Sequence, residues 1–134
     1  MNYIFVDTGA WYALVDRKDP DHSVSKKFYS AATLPFITTN FVFNETITLL
    51  MRRLGWDTAY KFGEGIKNSN LATIITVTRA DEEKAWEIFS KYTDTGFSYT
   101  DCTSFAVIER LKINTVFTFD MHFKIMKLNV LPGK

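Results

Sequence analysis

Short runs of β-forming residues alternate along the chain with longer stretches whose apolar residues recur every three or four positions, and this alternation constrains the fold most. Tyr3-Ile4-Phe5-Val6 predicts a first strand, Pro35-Phe36-Ile37-Thr38 a second, Ala72 to Val77 a third and Thr115 to Phe119 a fourth. Asn129-Val130-Leu131 adds a short edge strand. Helices are predicted from Ala10 to Val15 and, after the turn at Asp19-Pro20-Asp21, from Ser23 to Ala32. The stripe Phe43, Ile47, Leu50, Met51 and Leu54 predicts a third helix that stops at Gly55, and Asp57 opens a fourth that runs to about Lys67. Two more cover Ala80 to Tyr92, with Asp81, Glu82 and Glu83 in the first turn where the helix dipole favours anions, and Thr100 to Leu111. Strands that alternate with helices pair in parallel and are covered on both faces. The expected architecture is a three-layer α/β/α domain with a mostly parallel central sheet of about five strands.

The 134 residues suit one core, and no repeat or Pro/Gly-rich linker divides them, so residues 1–134 are expected to form a single domain. With 46% hydrophobic residues and a net charge of +1, the chain is neither disordered nor a simple polycationic nucleic-acid binder. Cys102 is the one cysteine, and His22 and His122 lie far apart, so neither a disulfide nor a Cys/His zinc site is expected. The opening apolar run is cut by Asp7 and reads as a buried strand, not a signal peptide. No stretch approaches the roughly 18 apolar residues of a membrane helix. A soluble, cytoplasmic protein is expected.

In parallel α/β sheets the site lies beyond the carboxyl ends of the strands. Asp7 directly follows the first strand and Asp120 the fourth. Asp101 opens the helix before the fourth strand, and Glu45 lies early in the helix after the second. Four carboxylates from distant segments thus converge on one sheet edge, a donor set suited to Mg²⁺ or Mn²⁺. Such ions bridge a phosphodiester, stabilise the attacking and leaving oxygens and activate water. Each acid also has a structural alternative. Asp7 can cap the first helix, Asp101 sits in a first turn where Asp is common, and Asp120 can cap a following turn. Glu45 points away from the Phe43/Ile47/Leu50/Leu54 face, towards solvent or a second face with Phe41 and Thr48. The joint arrangement carries more weight than any one position.

Four segments in order, Asp7-Thr8-Gly9-Ala10-Trp11, Thr39-Asn40-Phe41-Val42-Phe43-Asn44-Glu45, Tyr99-Thr100-Asp101-Cys102-Thr103-Ser104-Phe105-Ala106 and Thr118-Phe119-Asp120-Met121-His122-Phe123, resemble a PIN-domain ribonuclease across essentially the whole chain. The small single-domain form is most similar to the VapC-type toxins of toxin–antitoxin pairs. The resemblance implies a five-stranded parallel sheet, Mg²⁺- or Mn²⁺-dependent cleavage of RNA, a homodimer and inhibition by a cognate antitoxin protein. It matches Asp7, Glu45, Asp101 and Asp120 to the four family acids, as catalytic residues and metal ligands, and Thr8 to a supporting hydroxyl. A housekeeping RNA-processing nuclease of the same fold is the alternative within the family.

Outside it, two other functions stay open. One is phosphoryl transfer through an aspartyl phosphate at Asp7, which the Gly9 two residues on disfavours. The other is a non-catalytic interaction module whose acids bind basic side chains of a partner. Asp16, Asp19 and Asp21 read as turn and cap residues, with an outer metal contact as the alternative. His22 and His122 read as structural, His122 with a site acid or substrate as its other option, and Cys102 as buried filler. Arg17, Lys18, Lys26, Lys27, Arg52, Arg53 and Lys124 are candidates for steering RNA, against solvated helix faces. Setting the four site acids aside turns the +1 total into +5 for the rest of the chain, so the expected charge is segregated: a negative pocket in a mildly basic exterior.

Overall fold

A computed structural model describes residues 2–68 and 70–133. Strand and helix alternate as the periodicity predicts: β1 (Ile4–Val6), α1 (Thr8–Val15), α2 (His22–Ala31), β2 (Phe36–Thr39), α3 (Asn40–Leu54), α4 (Trp56–Asn68), β3 (Thr73–Ile75), α5 (Arg79–Lys91), α6 (Tyr99–Leu111), β4 (Thr115–Phe117), α7 (His122–Ile125) and β5 (Asn129–Leu131). The five strands form one sheet in the order β3-β2-β1-β4-β5, and every neighbouring pair is parallel. Phe5 of β1 lies opposite Ile37 on one side and Val116 on the other. The chain builds outwards from β1 in one direction through β2 and β3, then crosses back to place β4 and β5 on the other side. The order therefore reverses between β1 and β4, the place where ligands bind in open α/β sheets.

Central strands covered on both faces need apolar residues at every position, and Phe5, Val6, Val116 and Phe117 are fully buried. Phe117 packs on Phe28 of α2 at 4.7 Å between ring centroids, and Phe105 of α6 meets Phe123 of α7 edge-on at 5.1 Å. Helix α6 is buried continuously from Asp101 to Ile108, so its first turn is held in the core beside the strand ends. Its other anchor is Arg110, whose Nε and Nη2 donate to Asp81 Oδ1 and Oδ2 at 2.9 and 2.8 Å, a two-pronged pair that ties α6 to the first turn of α5.

Three details differ from the sequence expectations. Helix α3 starts at Asn40 instead of near Phe43, because the Thr39 hydroxyl accepts the Val42 N–H and caps it. Its buried face is Val42, Thr46 and Leu50. Of the predicted stripe, Phe43, Ile47 and Met51 line an open groove of about 370 Å³ against α4. Both faces are apolar at helical spacing, and periodicity alone does not say which one meets the sheet. Finally, β4 ends at Phe117, so Asp120 stands three residues past the strand instead of directly after Phe119, and the short α7 follows it.

Candidate active site

The carboxyl end of β1 delivers Asp7 into the reversal point. Asp7 occupies the N-cap position of α1, yet its side chain makes no capping bond. Its Oδ2 instead accepts the Thr118 hydroxyl from the neighbouring strand end at 3.2 Å. Asp7 is only 6% exposed. Burial, with the charges of Asp101 and Asp120, pushes its carboxyl up from 3.8 to about 7, against the opposing bonds from the Thr8 amide and Thr118. The charges of Asp101 and Asp120 thus reach the buried Asp7 carboxyl, although Asp7 stands outside the tight group of donor atoms formed by Asp101, Asp120 and His122.

Asp101 is the third residue of α6. Its N–H donates to Ser98 Oγ at 3.0 Å while its Oδ2 accepts the Ser98 N–H at 3.1 Å, a reciprocal capping box. The structural alternative for this acid is therefore realised, and the cap holds its carboxylate beside Asp120 and His122. Asp120 is placed by a local turn, with its N–H donating to Thr118 Oγ1 at 3.0 Å and its Oδ1 accepting the His122 N–H at 2.9 Å. His122 Nδ1 then lies 3.0 Å from Asp101 Oδ2 and 3.3 Å from Asp120 Oδ1. One donor atom each from Asp101, Asp120 and His122 fall within 4.8 Å of one another. Glu45 joins less directly. Its Oε1 accepts the Thr8 hydroxyl at 2.7 Å, which ties it to the residue after Asp7 but leaves it outside the Asp101/Asp120/His122 group.

One participant, Thr118, was not expected from sequence, and a second, His122, takes the less favoured of its two readings. Thr118 serves Asp7 and Asp120 with a single hydroxyl, and the signal available was a threonine two residues before an acid at a strand end, the spacing of a side-chain turn. His122 read as structural with a site acid as its other option, and its ring bridges two of the acids, with Phe97 edge-on behind it at 5.3 Å. Asp16, Asp19, His22 and Cys102 fall where the turn and filler assignments put them. Asp19 Oδ1 accepts the Asp21 N–H, Asp16 accepts the Tyr12 hydroxyl and the Lys18 N–H, and His22 Nδ1 lies 2.7 Å from the Ala13 carbonyl. Cys102 is fully buried, and burial together with Asp101 pushes its thiol up to about 11, which removes it as a nucleophile at neutral pH.

The donor set fits a hard divalent cation. It is dominated by carboxylate oxygens, and the repulsion from Asp101 and Asp120, which adds to burial in lifting Asp7, is what such an ion relieves.

Fold and site together define a PIN domain: residues 4–128 match the PIN domain family model, and the chain belongs to that family. It is 36% identical over 120 residues to the 23S rRNA-specific endonuclease VapC20 of Mycobacterium tuberculosis, covering 90% of this chain and 91% of that protein. It is 33% identical over 126 residues to the VapC ribonuclease of Archaeoglobus fulgidus, covering 90% of this chain and 78% of that protein. The crystal structure of Mycobacterium tuberculosis VapC20, described as a sarcin-ricin loop cleaving toxin, matches with a TM-score of 0.89 at 34% identity over 93% of this chain and 95% of that one. VapBC of Salmonella typhimurium shares the fold, with a TM-score of 0.71 at 12% identity over 97% of each chain.

Proposed function

We propose that this chain is a divalent-cation-dependent endoribonuclease, the toxin of a VapBC-type pair, and that its substrate is 23S rRNA, as named for the VapC20 relative. The observation that carries it is the grouping of Asp101, Asp120 and His122 at the reversal point of the sheet, next to Asp7, which burial and the neighbouring charges raise to about 7. Asp7, Asp101 and Asp120 hold Mg²⁺ or Mn²⁺. When bound, such an ion supplies Lewis-acid polarisation of the scissile phosphate and charge neutralisation for in-line attack by water. The protein's own part is positioning. Thr118 sets the angle of Asp7 through its hydroxyl and holds the Asp120 backbone, and His122 fixes the Asp101 and Asp120 carboxylates against each other. Glu45, whose carboxylate accepts the Thr8 hydroxyl, orients the attacking water and accepts its proton.

The four acids act within one nuclease domain, in the cytoplasm; among the described residues no helix is long and apolar enough to cross a membrane. A cognate antitoxin covers the α3–α4 groove, where Met51, Trp56 and Tyr60 are exposed. A second copy pairs through the exposed Trp86 and Phe89 of α5.

Inducing the wild type in bacterial cells is expected to arrest growth, while Asp101→Asn is tolerated at equal expression. Equal arrest by both would contradict the assignment. Thr8→Val removes the hydroxyl bond to Glu45 but keeps the shape, and is expected to lower kcat about tenfold with little change in KM, measured on a short RNA hairpin.

A further inference from the structure

We propose that His122 is a nitrogen ligand of the divalent ion, and that the site therefore takes a first-row transition ion such as Mn²⁺ or Co²⁺ in preference to Mg²⁺. This deepens the ribonuclease function above and rests on its metal site. The four acids matched by the family resemblance are all oxygen donors, and His122 is not among them. Asp101, Asp120 and His122 each bring one donor atom into a group whose members lie within 4.8 Å of one another. His122 Nδ1 is 3.0 Å from Asp101 Oδ2 and 3.3 Å from Asp120 Oδ1. Neighbouring ligands held at about 2.1 Å by an octahedral ion stand roughly 3 Å apart, and opposite ones roughly 4 Å. The three atoms thus have the mutual spacing of one coordination sphere.

The chain itself sets the ring in this pose. The His122 N–H donates to Asp120 Oδ1 at 2.9 Å, which fixes the residue against its neighbouring acid, and Phe97 packs edge-on behind the imidazole at 5.3 Å. Asp101 is held on the other side by its reciprocal cap with Ser98. The far nitrogen, Nε2, looks towards Gly96 in the α5–α6 turn, where even an added Cβ would stand 3.8 Å away. The His122 side chain is 29% exposed, so water reaches this edge of the ring. Nε2 can therefore carry the ring's one proton and donate it to water, which leaves the Nδ1 lone pair for a metal. That is the usual division of labour in a ligating imidazole. In the ion-free protein the proton sits on Nδ1 instead and bridges the two carboxylates. A bridge and a ligand share the same distances, but their chemistry differs. Imidazole nitrogen suits first-row transition ions, whereas Mg²⁺ keeps to carboxylate oxygens and water.

His122→Asn separates the two roles, because the Asn amide still donates to Asp101 and Asp120 but offers no ring nitrogen. Calorimetric titration of the RNA-free wild type should give Co²⁺ and Mn²⁺ affinities at least about tenfold above that for Mg²⁺, with Co²⁺ the tighter of the two. In His122→Asn the Co²⁺ and Mn²⁺ affinities should fall about ten- to a hundredfold, and that for Mg²⁺ by less than about threefold. Pulsed electron paramagnetic resonance of the wild type with Mn²⁺ bound should show the hyperfine coupling of a directly ligated nitrogen, absent from His122→Asn. This reading needs only the wild type, so it decides the matter even where the variant folds poorly. An all-oxygen Mn²⁺ spectrum in the wild type, a Co²⁺ affinity that His122→Asn leaves unchanged, an equal loss for Co²⁺ and Mg²⁺, or no binding at millimolar metal would each overturn the ligand assignment. Nitrogen-coupled Mn²⁺ in a protein that cuts no RNA would leave the ligand standing and remove the nuclease function. Metal-dependent cleavage with an all-oxygen Mn²⁺ spectrum would do the reverse.

Discussion

Asp7→Asn is expected to yield a protein that is inactive and, in the absence of divalent ions, more stable than the wild type at pH 8. The two effects have one cause. The Asp7 carboxyl sits at about 7 in the folded protein against 3.8 for an ordinary aspartate, driven up by burial and by Asp101 and Asp120. The folded state therefore holds this proton more tightly than the unfolded chain. Stability falls as pH rises from about 4 to about 7 and levels off above. Asn carries no charge and escapes this penalty. The expected gain at pH 8 is on the order of 2–4 kcal/mol, or roughly 10 °C in Tm for a domain of this size, shrinking towards zero near pH 4. Cleavage should fall by roughly a thousandfold if, as proposed, Asp7 is a ligand of the cation where charge develops in the transition state. Thermal melts of both proteins from pH 4 to pH 8 in chelator check the first half and RNA cleavage the second. An Asn variant that melts below the wild type at pH 8 would show that Asp7 is not the strained group described here. The net charge of +1 conceals this crowding, since an average over the chain says nothing of three carboxylates in one place.

The second large effect lies away from the acids. Burial by itself would raise Asp81, but the Arg110 guanidinium and the bonds from Thr78 overcome it and hold the carboxyl below its usual range. Arg110→Met leaves Asp81, 3% exposed, without its cation, and breaking a buried pair in this way costs about 3 kcal/mol, the partial exposure of Arg110 keeping it at the low end. A group held low contributes its stability above the unfolded value and loses it as pH falls. The Tm gap between wild type and variant should accordingly be widest near neutral pH and narrow in acid. Asp81→Asn in the Arg110→Met background should recover part of the loss. Since the pair fixes α5 to α6 and leaves the Asp101 cap intact, kcat below the melting transition should stay within a few-fold of wild type. A loss under about 1 kcal/mol would mean that Asp81 finds solvent once Arg110 is gone.

The architecture was legible because local rules govern it. Strand runs such as Tyr3-Ile4-Phe5-Val6 have no polar residue to spare for solvent, which is the mark of a strand covered on both faces, and helical spacing between such runs requires parallel pairing. The expectation that Asp7, Asp101 and Asp120 lie near one another came from that order through the rule that strand ends make sites, and the charges of Asp101 and Asp120 do reach Asp7, while Glu45 stands apart from the Asp101/Asp120/His122 group. What was not legible depends on three-dimensional register. Val42/Thr46/Leu50 and Phe43/Ile47/Met51 are adjacent stripes of one helix, and only packing against the sheet chooses between them. Helix α7 spans four residues and has no periodicity to detect. The bond between Thr118 and Asp7 joins residues 111 positions apart, and the bridge from His122 to Asp101 depends on how a tight turn aims one ring. Side-chain networks of this kind assemble last, and a pattern along the chain does not encode their aim.

The most direct measurement is the rate of cleavage of a hairpin RNA carrying the sarcin-ricin loop sequence, taken with wild type and Asp101→Asn at equal concentration, in chelator and in millimolar Mg²⁺ or Mn²⁺. The carboxylate cluster predicts cut RNA only for wild type with a divalent ion. Cleavage by the wild type undiminished in chelator, or by Asp101→Asn at the wild-type rate, would contradict it.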